Sequence, residues 1–372
     1  MMPSFRLIRL THLLLLIILC VYILEVGRPL LMPMAFGVLL AFLLRPLVEN
    51  LERRLGNLAL SILIAFVLAL VPIGLLSWFF SHEISHMIRN LGNIDARLHA
   101  GLDKFLDLSS TFSGLPPIDE KLWINQQLTG FLNRSFGVLT KILASSTSVF
   151  AEFLVSLILA FFLLYYRRPF EEFVLLQFPD HHRVEVASAM KATQDISRKY
   201  IYGLAILTFL LSILFTIGLW IIGIPYAPFW GMLMATMNII PFIGNLIGLA
   251  FLLLFGLAST GNVSSIIFIL ILHIVIQTVE GNVLRPLIVG NTVNVNAFVA
   301  IISILLGGFI WGVGGILLAL PFMAMFKVIC DHLDPLKPLG ALLDANISTK
   351  GELLEKFDDE RFRFNTYLNR KG

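Results

Sequence analysis

Long runs of apolar residues, separated by short polar segments, dominate this sequence. A helix that spans a bilayer needs about 20 predominantly apolar residues. Eight runs approach or exceed that length, so we predict an all-α, polytopic integral membrane protein with about eight transmembrane helices. The predicted spans are residues 8–26, 29–44, 58–80, 142–166, 203–223, 228–256, 264–279 and 297–328.

The composition agrees with a surface that is largely covered by lipid. Hydrophobic residues make up 58% of the 372 residues and charged residues only 14%, whereas soluble domains carry about 25% charged residues. The formal net charge of +3 is too small to indicate nucleic-acid binding. Of the two cysteines, Cys20 lies within the first apolar run, so we expect neither a disulfide framework nor a thiolate metal site. We expect no cofactor.

The N-terminal run has some features of a secretory signal peptide. Arg6 and Arg9 precede the apolar residues 13–24, an arrangement typical of such peptides. However, the following EVGRPLLMP contains no A-x-A-like cleavage site, and the second apolar run begins almost at once. We therefore expect residues 8–26 to remain as the first span, with cleavage as the alternative.

Lys and Arg are concentrated on one side of the membrane when each of the eight runs is taken as a crossing. That side holds the N-terminus, residues 45–54, the segment after residue 166 and the C-terminal tail. The other side holds Arg28, the long segment 81–137 and Arg285. Since positive residues favour the cytoplasmic side, we predict cytoplasmic termini and an even number of crossings.

Two polar stretches separate the predicted spans into larger units. Residues 81–137 carry apolar side chains at helical spacing, which predicts two amphipathic helices on the outer surface. Residues 167–202 predict a charged cytoplasmic connector that is helical from about Val184. The predicted organisation is an N-terminal three-span unit (1–80), an extracytoplasmic segment (81–137), a C-terminal transport unit (138–330) and a cytoplasmic tail (331–372).

One short motif points to a possible metal site. His82, Glu83 and His86 form the H-E-x-x-H pattern of zinc metalloproteases, in which both histidines lie on one face of a helix. A catalytic zinc also needs a third protein ligand. The downstream candidates His99, Asp103 and Asp107 belong to a surface-type amphipathic pattern. We therefore favour a solvated helix end, with a membrane zinc protease as the less favoured alternative.

Polar residues, glycine and proline interrupt two apolar runs in the C-terminal half. Freed backbone groups in a bilayer must be satisfied by protein or by a wet cavity, and interrupted helices mark the binding sites of transporters. We predict broken or re-entrant helices there, with close helix packing as the alternative. The predicted substrate-binding residues are Asn238, Asn245, Gln277, Glu280, Asn282, Arg285 and Asn291, and the predicted helix breaks are Pro241, Gly244, Gly281, Pro286 and Gly290.

Glu280 and Arg285 are costly charges for a membrane segment, so each needs an explanation. Five residues apart, they do not share a helical face ideally, but a break at Gly281 would allow a structural ion pair. The alternative is that Glu280 binds a proton or a cation during transport.

Several short elements of the C-terminal half follow one another in a recognisable order. They are Gly223-Ile224-Pro225-Tyr226, Ile240-Pro241-Phe242-Ile243-Gly244, Glu280-Gly281-Asn282-Val283-Leu284, Pro286, Gly290 and the glycine-rich last span ending Ala319-Leu320-Pro321. In these elements the sequence resembles the autoinducer-2 exporter family of bacterial permease-like transporters, and the resemblance extends more weakly over the whole chain. Two departures fall in the predicted site region: Asn245 stands where relatives often have proline, and Asn296-Ala297 stand where they often have His-Pro.

This resemblance implies a bacterial inner-membrane protein that forms a homo-oligomer, for which a pentamer is suggested. It also implies export of a small, sugar-like quorum-sensing signal, autoinducer-2. Our first hypothesis is export of a small polar molecule by alternating access, in which residues 223–298 move against the other spans. The alternative is a Na⁺(Li⁺)/H⁺ antiporter that uses Glu280, since other family members resemble such antiporters. A non-transporting oligomeric scaffold stays open.

Overall fold

The computed structural model describes residues 4–90, 146–240, 243–260, 262–290, 294–333 and 336–346. The regular structure in these ranges is helical, apart from one isolated β-bridge between Val295 and Asp344. The predicted all-α fold is confirmed. The helices are α1 (Ser4–Val26), α2 (Arg28–Leu55), α3 (Leu58–Asn90), α4 (Ser146–Tyr165), α5 (Arg167–Leu176), α6 (Asp180–Ile222), α7 (Ala227–Met237), α8 (Ile243–Thr260), α9 (Val263–Val279), a π-helical segment (Glu280–Leu284), α10 (Arg285–Ile288), α11 (Ala297–His332) and α12 (Lys337–Leu343).

Several of these helices are long and apolar enough to cross a membrane. In the described part of the chain there are five, namely α2, α3, α6, the helix Val263–Ile288 and α11. The bent pair Ala151–Tyr165 and Arg167–Leu176 is a sixth candidate, and Leu14–Val26 and Gly244–Leu257 are shorter apolar helices. The predicted apolar runs therefore fall on helices, and the protein is a multi-pass membrane protein.

Helix α6 is longer than the sequence pattern suggested. It begins at Asp180, ahead of the predicted start at Val184, and continues into the apolar part without interruption as a helix of 43 residues. Ion pairs one turn apart, Arg183–Asp180 and Arg198–Asp195, stabilise its polar half. The predicted outer amphipathic helices within residues 91–137 lie outside the described residues.

The predicted span 228–256 is a helical hairpin. Helix α7 has 11 residues, about 16 Å at 1.5 Å per residue, which is too short for a hydrocarbon core of about 30 Å. Trp230, early in α7, lies against Phe255, late in α8, with ring centroids 4.8 Å apart. At the turn, a Cβ on Gly244 would clash with the carbonyl oxygen of Met237, so the close approach requires glycine. The two helices therefore run antiparallel.

Helix α11 also folds back on itself. Its backbone leaves helical geometry at Gly312, with φ 61° and ψ −137°. A Cβ on Gly307 would clash with the carbonyl oxygen of Gly315, although eight residues of straight helix would separate these positions by about 12 Å. The backbone N–H of Asn296, just before α11, donates to the carbonyl oxygen of Leu343 (2.9 Å), in the helix that follows α11. Both ends of α11 therefore lie together, as in a re-entrant hairpin.

The described residues group into two compact units. The first comprises Met1–Phe66, Ala151–Tyr202 and Asn291–Gly372, and the second comprises Val67–Phe150 and Gly203–Gly290. The second unit has an apolar core that includes Phe215, Leu219, Trp230, Met234 and Leu252. A smaller cluster in the first unit joins α2 to α11 through Ala35, Leu39, Leu318 and Met325.

Candidate functional site

A π-helical turn from Glu280 to Leu284 joins α9 to α10 in the second unit. The backbone N–H of Arg285 donates to the carbonyl oxygen of Glu280, five residues earlier, so the helix widens at Gly281 and does not break there. Pro286 follows directly, and a proline in a regular helix lacks a donor and clashes with the carbonyl four residues before it. The wide turn accommodates that proline, and π-turns of this kind are frequent at functional sites.

The same turn brings Glu280 and Arg285 together. Nη2 and Nε of Arg285 donate to Oε1 of Glu280 at 2.5 and 3.1 Å. The carboxylate is 4% exposed, whereas the Arg285 side chain is 46% exposed. The ion pair that the sequence allowed is present, but a widened turn forms it and not the expected break at Gly281. The buried carboxylate is compensated by a cation that reaches the surface.

Among the described residues of the second unit, four buried polar atoms lack a hydrogen-bond partner: Trp230 Nε1, Asn245 Oδ1, His273 Nδ1 and Gln277 Nε2. Leaving a buried polar group unpaired costs about 1–3 kcal/mol, so each such group needs an explanation. His273, Gln277 and Glu280 follow one another at helical spacing of four and three residues, which places them along one face of the helix.

The α7–α8 hairpin brings its polar tip to the level of this face. Helices α8 and α9 are joined by a short connection and are in contact, because a Cβ on Gly256 would meet Cδ1 of Ile269 at 2.5 Å. In an antiparallel helix pair, two residues that lie the same number of residues from such a contact are level with each other along the helix axes. Asn245 precedes Gly256 by as many residues as Glu280 follows Ile269, so Asn245 and Glu280 lie at about the same level. Asn238, which is 8% exposed, ends α7 at the same tip.

The other predicted site residues are not part of this group. Asn282 is exposed, and its side-chain amide donates to the carbonyl oxygen of Thr278 at 3.0 Å. Gly290 adopts φ 54° where α10 ends. Pro241 and Asn291 lie outside the described residues.

Two residues with unpaired polar atoms were not among the predicted binding residues. His273 is an ionisable residue within an apolar run, which was the available signal in the sequence, and the structure places it on the buried face of α9. Trp230 gave no such signal, because a tryptophan in an apolar run is ordinary core material.

His82 and His86 lie on helix α3, as the motif requires. Both side chains are exposed, and their ring centroids are 4.6 Å apart. Within the described ranges, no group of three or more His, Cys, Asp or Glu residues could hold a metal ion. The candidate third ligands His99, Asp103 and Asp107 lie outside those ranges, so the zinc hypothesis stays a prediction.

Comparison with known proteins assigns the chain to a family. The chain is 27% identical over 308 residues to the candidate transport protein YueF of Bacillus subtilis, covering 79% of this chain and 82% of that protein. It is 25% identical to YrrI of B. subtilis, covering 81% and 85%, and 23% identical to YhhT of Escherichia coli K12, covering 73% and 84%; both are likewise candidate transport proteins. The AI-2E family transporter pattern matches residues 12–334. The chain belongs to the AI-2E family of membrane transporters.

Proposed function

We propose that this protein exports a small, polar, hydrogen-bonding molecule such as autoinducer-2. The observation that carries the proposal is the pair of unpaired buried polar atoms near the tip of the α7–α8 hairpin, Asn245 Oδ1 and Gln277 Nε2, close to the level of Glu280. Hydrogen bonds to a solute would satisfy these atoms, and a site built to hydrogen-bond its substrate discriminates strongly against analogues that lack the polar group.

The chemistry of these atoms favours an uncharged solute. Asn245 offers an acceptor, and Gln277 offers donors. The charge of Glu280 is already balanced by Arg285. A hydroxyl-rich molecule supplies both donors and acceptors and needs no further charge compensation.

The same ion pair weakens the alternative of Na⁺(Li⁺)/H⁺ antiport. A cation or proton at Glu280 would have to compete with the guanidinium of Arg285, which donates twice to the carboxylate. Antiport would therefore require the pair to open in each cycle. Cation-driven proton flux in vesicles that is abolished by Glu280→Gln would favour antiport over export.

Alternating access would come from movement of the interrupted segments, residues 223–298, against the other helices. The α7–α8 hairpin supports this proposal, since its first arm is too short to cross the bilayer. Backbone groups that are freed where a helix ends inside a bilayer need protein or water around them. Shifting such a hairpin moves a polar tip without breaking a full membrane-spanning helix.

The wider setting of the proposal is a homo-oligomer, with a pentamer as the suggested assembly, in a bacterial inner membrane. Both termini would be cytoplasmic, and the exported molecule would serve quorum sensing. Residues 138–330 would form the transport unit, residues 1–80 the N-terminal unit, residues 81–137 an outer segment and residues 331–372 the cytoplasmic tail.

Flux of autoinducer-2 from proteoliposomes tests the proposed site. Asn245→Leu and Gln277→Leu remove the unpaired polar atoms with little change in side-chain volume, so we expect each to reduce flux at least tenfold, about the effect of losing one hydrogen bond to a solute. Thr278→Val is the matched control, because Thr278 is the exposed neighbour of Gln277 and its hydroxyl donates back to the carbonyl oxygen of Ile274. Normal flux in both leucine variants, with normal membrane insertion, would remove the proposed site.

A further inference from the structure

Helix α5 turns away from α4 at the end of a candidate membrane span. The two helices differ in direction by 68°. Pro169 explains the turn, because it has no N–H to donate to the carbonyl of Tyr165 and so cannot continue the hydrogen-bond ladder of α4. A helix bent by this angle from one that crosses the bilayer lies close to the membrane plane.

One side of α5 is fixed to the rest of its unit by charged side chains. Arg167, which is 8% exposed, donates to Glu52 Oε2 at 2.5 Å and to the carbonyl oxygen of Leu164 at 3.0 Å. Glu171, one turn later, accepts hydrogen bonds from Arg45 on α2 and Gln194 on α6. This side of the helix is therefore held against protein.

The opposite side of α5 is apolar and uncovered. Phe173 is 60% exposed and Leu176 is 67% exposed, and Phe170 is exposed beside them. Arg168 and Glu172 are also exposed, between the apolar side and the side fixed by Arg167 and Glu171. At 100° per residue, the helix thus has three separate sectors, one facing protein, one apolar and one charged.

The apolar side of α5 continues an aromatic surface that begins on α4. The rings of Phe162 and Tyr166 stack with centroids 6.2 Å apart, and Tyr166 meets Phe170 edge-on at 6.5 Å. Phe162 is 49% exposed on a helix of the candidate membrane pair. Tyr165 and Tyr166 lie at the bend, and tyrosines are enriched where a membrane meets water.

A cavity beside this surface has the same character. It has a volume of about 450 Å³, lies among α2, α4, α5 and α6, and is lined mainly by apolar side chains that include Phe170, Val174 and Met190. Arg167 and Glu171 also line it, so the cavity lies on the fixed side of α5 and meets the exposed aromatic surface at Phe170.

We propose that α5 is an interfacial anchor that inserts Phe173, Leu176 and Phe170 into the phospholipid leaflet at its end of the membrane. Lipid is favoured as the occupant because the apolar side is continuous with the surface of a membrane-crossing helix. Amphipathic helices with aromatic residues on one side and a positive residue on the other lie in the interface in this way. Arg168 would then reach the headgroup phosphates.

This anchor is independent of the proposed transport site. It fixes one side of α5 in the lipid while Arg167 and Glu171 hold the other side to α2 and α6. Through α5, the position of the leaflet surface is therefore mechanically coupled to the ends of α2 and α6 that hold it.

Spin labels in full-length protein, reconstituted into vesicles of phosphatidylcholine and phosphatidylglycerol, test the anchor. Labels are placed singly at Phe173→Cys, Glu172→Cys and Phe162→Cys, in a background where the exposed Cys20 is replaced by serine and the buried Cys330 is retained. Collision with oxygen, which concentrates in the bilayer, is compared with collision with a water-soluble nickel chelate.

We expect the ratio of oxygen to nickel collisions at 173 to match that at 162 and to exceed that at 172. Leu176→Cys, on the same apolar side, repeats the measurement with a second variant. Equal ratios at 172 and 173 would show a water-facing helix and overturn the proposal. Shielding from both reagents, with spin–spin broadening between subunits, would show that a second copy of the chain covers the surface and would overturn it as well.

Discussion

At the scale of single residues, the Glu280–Arg285 pair shows how the backbone changes what side chains can do. A regular helix would hold residues five apart on different faces, and the π-turn brings them to hydrogen-bond distance. Removing one partner of a buried pair costs about 3–5 kcal/mol, whereas replacing both partners is often neutral. Because Arg285 is 46% exposed, water compensates part of that cost.

We therefore expect Arg285→Gln to lower the melting temperature of the purified protein, since it leaves the carboxylate of Glu280 buried and unpaired. The loss in free energy of unfolding should be smaller than that for a fully buried pair, which is about 3–5 kcal/mol. The double variant Arg285→Gln with Glu280→Gln should recover most of that loss. Thermal unfolding in detergent measures both, and Arg168→Gln, on the exposed surface of α5, is the control. Equal melting temperatures of the single and double variants would contradict this account.

A second charged group holds α12 against α11. Nζ of Lys327, a buried residue, bonds Asp331 at 2.6 Å and Asp344 at 3.0 Å. Burial alone would raise the pKa of Asp344, but hydrogen bonds from the backbone of Asn346 and from Lys327, the charge of Lys327 and a hydrogen bond from Asn294 lower it overall. The folded state thus prefers the ionised carboxylate.

A lowered pKa in the folded state fixes the sign of the pH dependence. The contribution of Asp344 to stability is complete above its unfolded pKa of about 3.9 and is lost as the pH falls through the lower folded pKa. We expect Asp344→Asn to lower the melting temperature at pH 7, and the difference from wild type to shrink below about pH 4. A difference that is unchanged at pH 3 would show that this carboxylate does not act through its charge.

At the scale of helices, the sequence predicted what depends on hydrophobicity and left open what depends on backbone geometry. Apolar runs identified the membrane helices, and Pro241 with its polar neighbours predicted the interruption between α7 and α8. The wide turn at Glu280 was not predicted, because its residues are also compatible with a break. Nor was the turn of α11 placed at Gly312, since glycine in a membrane helix serves equally for close packing.

Gly312 tests the α11 hairpin directly. Its φ of 61° and ψ of −137° lie where residues with a side chain are strained. We expect Gly312→Ala to destabilise the protein by about 1–3 kcal/mol. Gly74→Ala is the matched control, because Gly74 lies inside α3 with nothing within 4 Å of its Cβ position. A neutral Gly312→Ala in thermal unfolding would mean that α11 does not turn there.

At the scale of the whole molecule, replacing two membrane-crossing helices by hairpins changes which loops lie on the same side of the membrane. The number of crossings nevertheless stays even. Counting 228–256 and 297–328 as full crossings places Arg285 outside. Counting both as hairpins removes two crossings, so the termini still share a side, and Arg285 moves to that side. The positive-inside rule favours the second count. The hydrogen bond between Asn294 and Asp344, at 2.8 Å, supports it for the second hairpin, because it joins the start of α11 to the C-terminal tail.

Labelling with a membrane-impermeant maleimide distinguishes the two counts. Single cysteines at Ala297, Ser81 and Asn346, all exposed, report the start of α11, the C-terminal third of α3 and the tail. We expect Ala297→Cys to react from the same side as Asn346→Cys, the cytoplasmic side, and Ser81→Cys to react from the opposite side. A hairpin must begin and end on one face of the bilayer, whereas a crossing helix cannot. If the cysteine at position 297 reacted from the same side as the cysteine at position 81, α11 would be a full span and Arg285 would lie on the outer side.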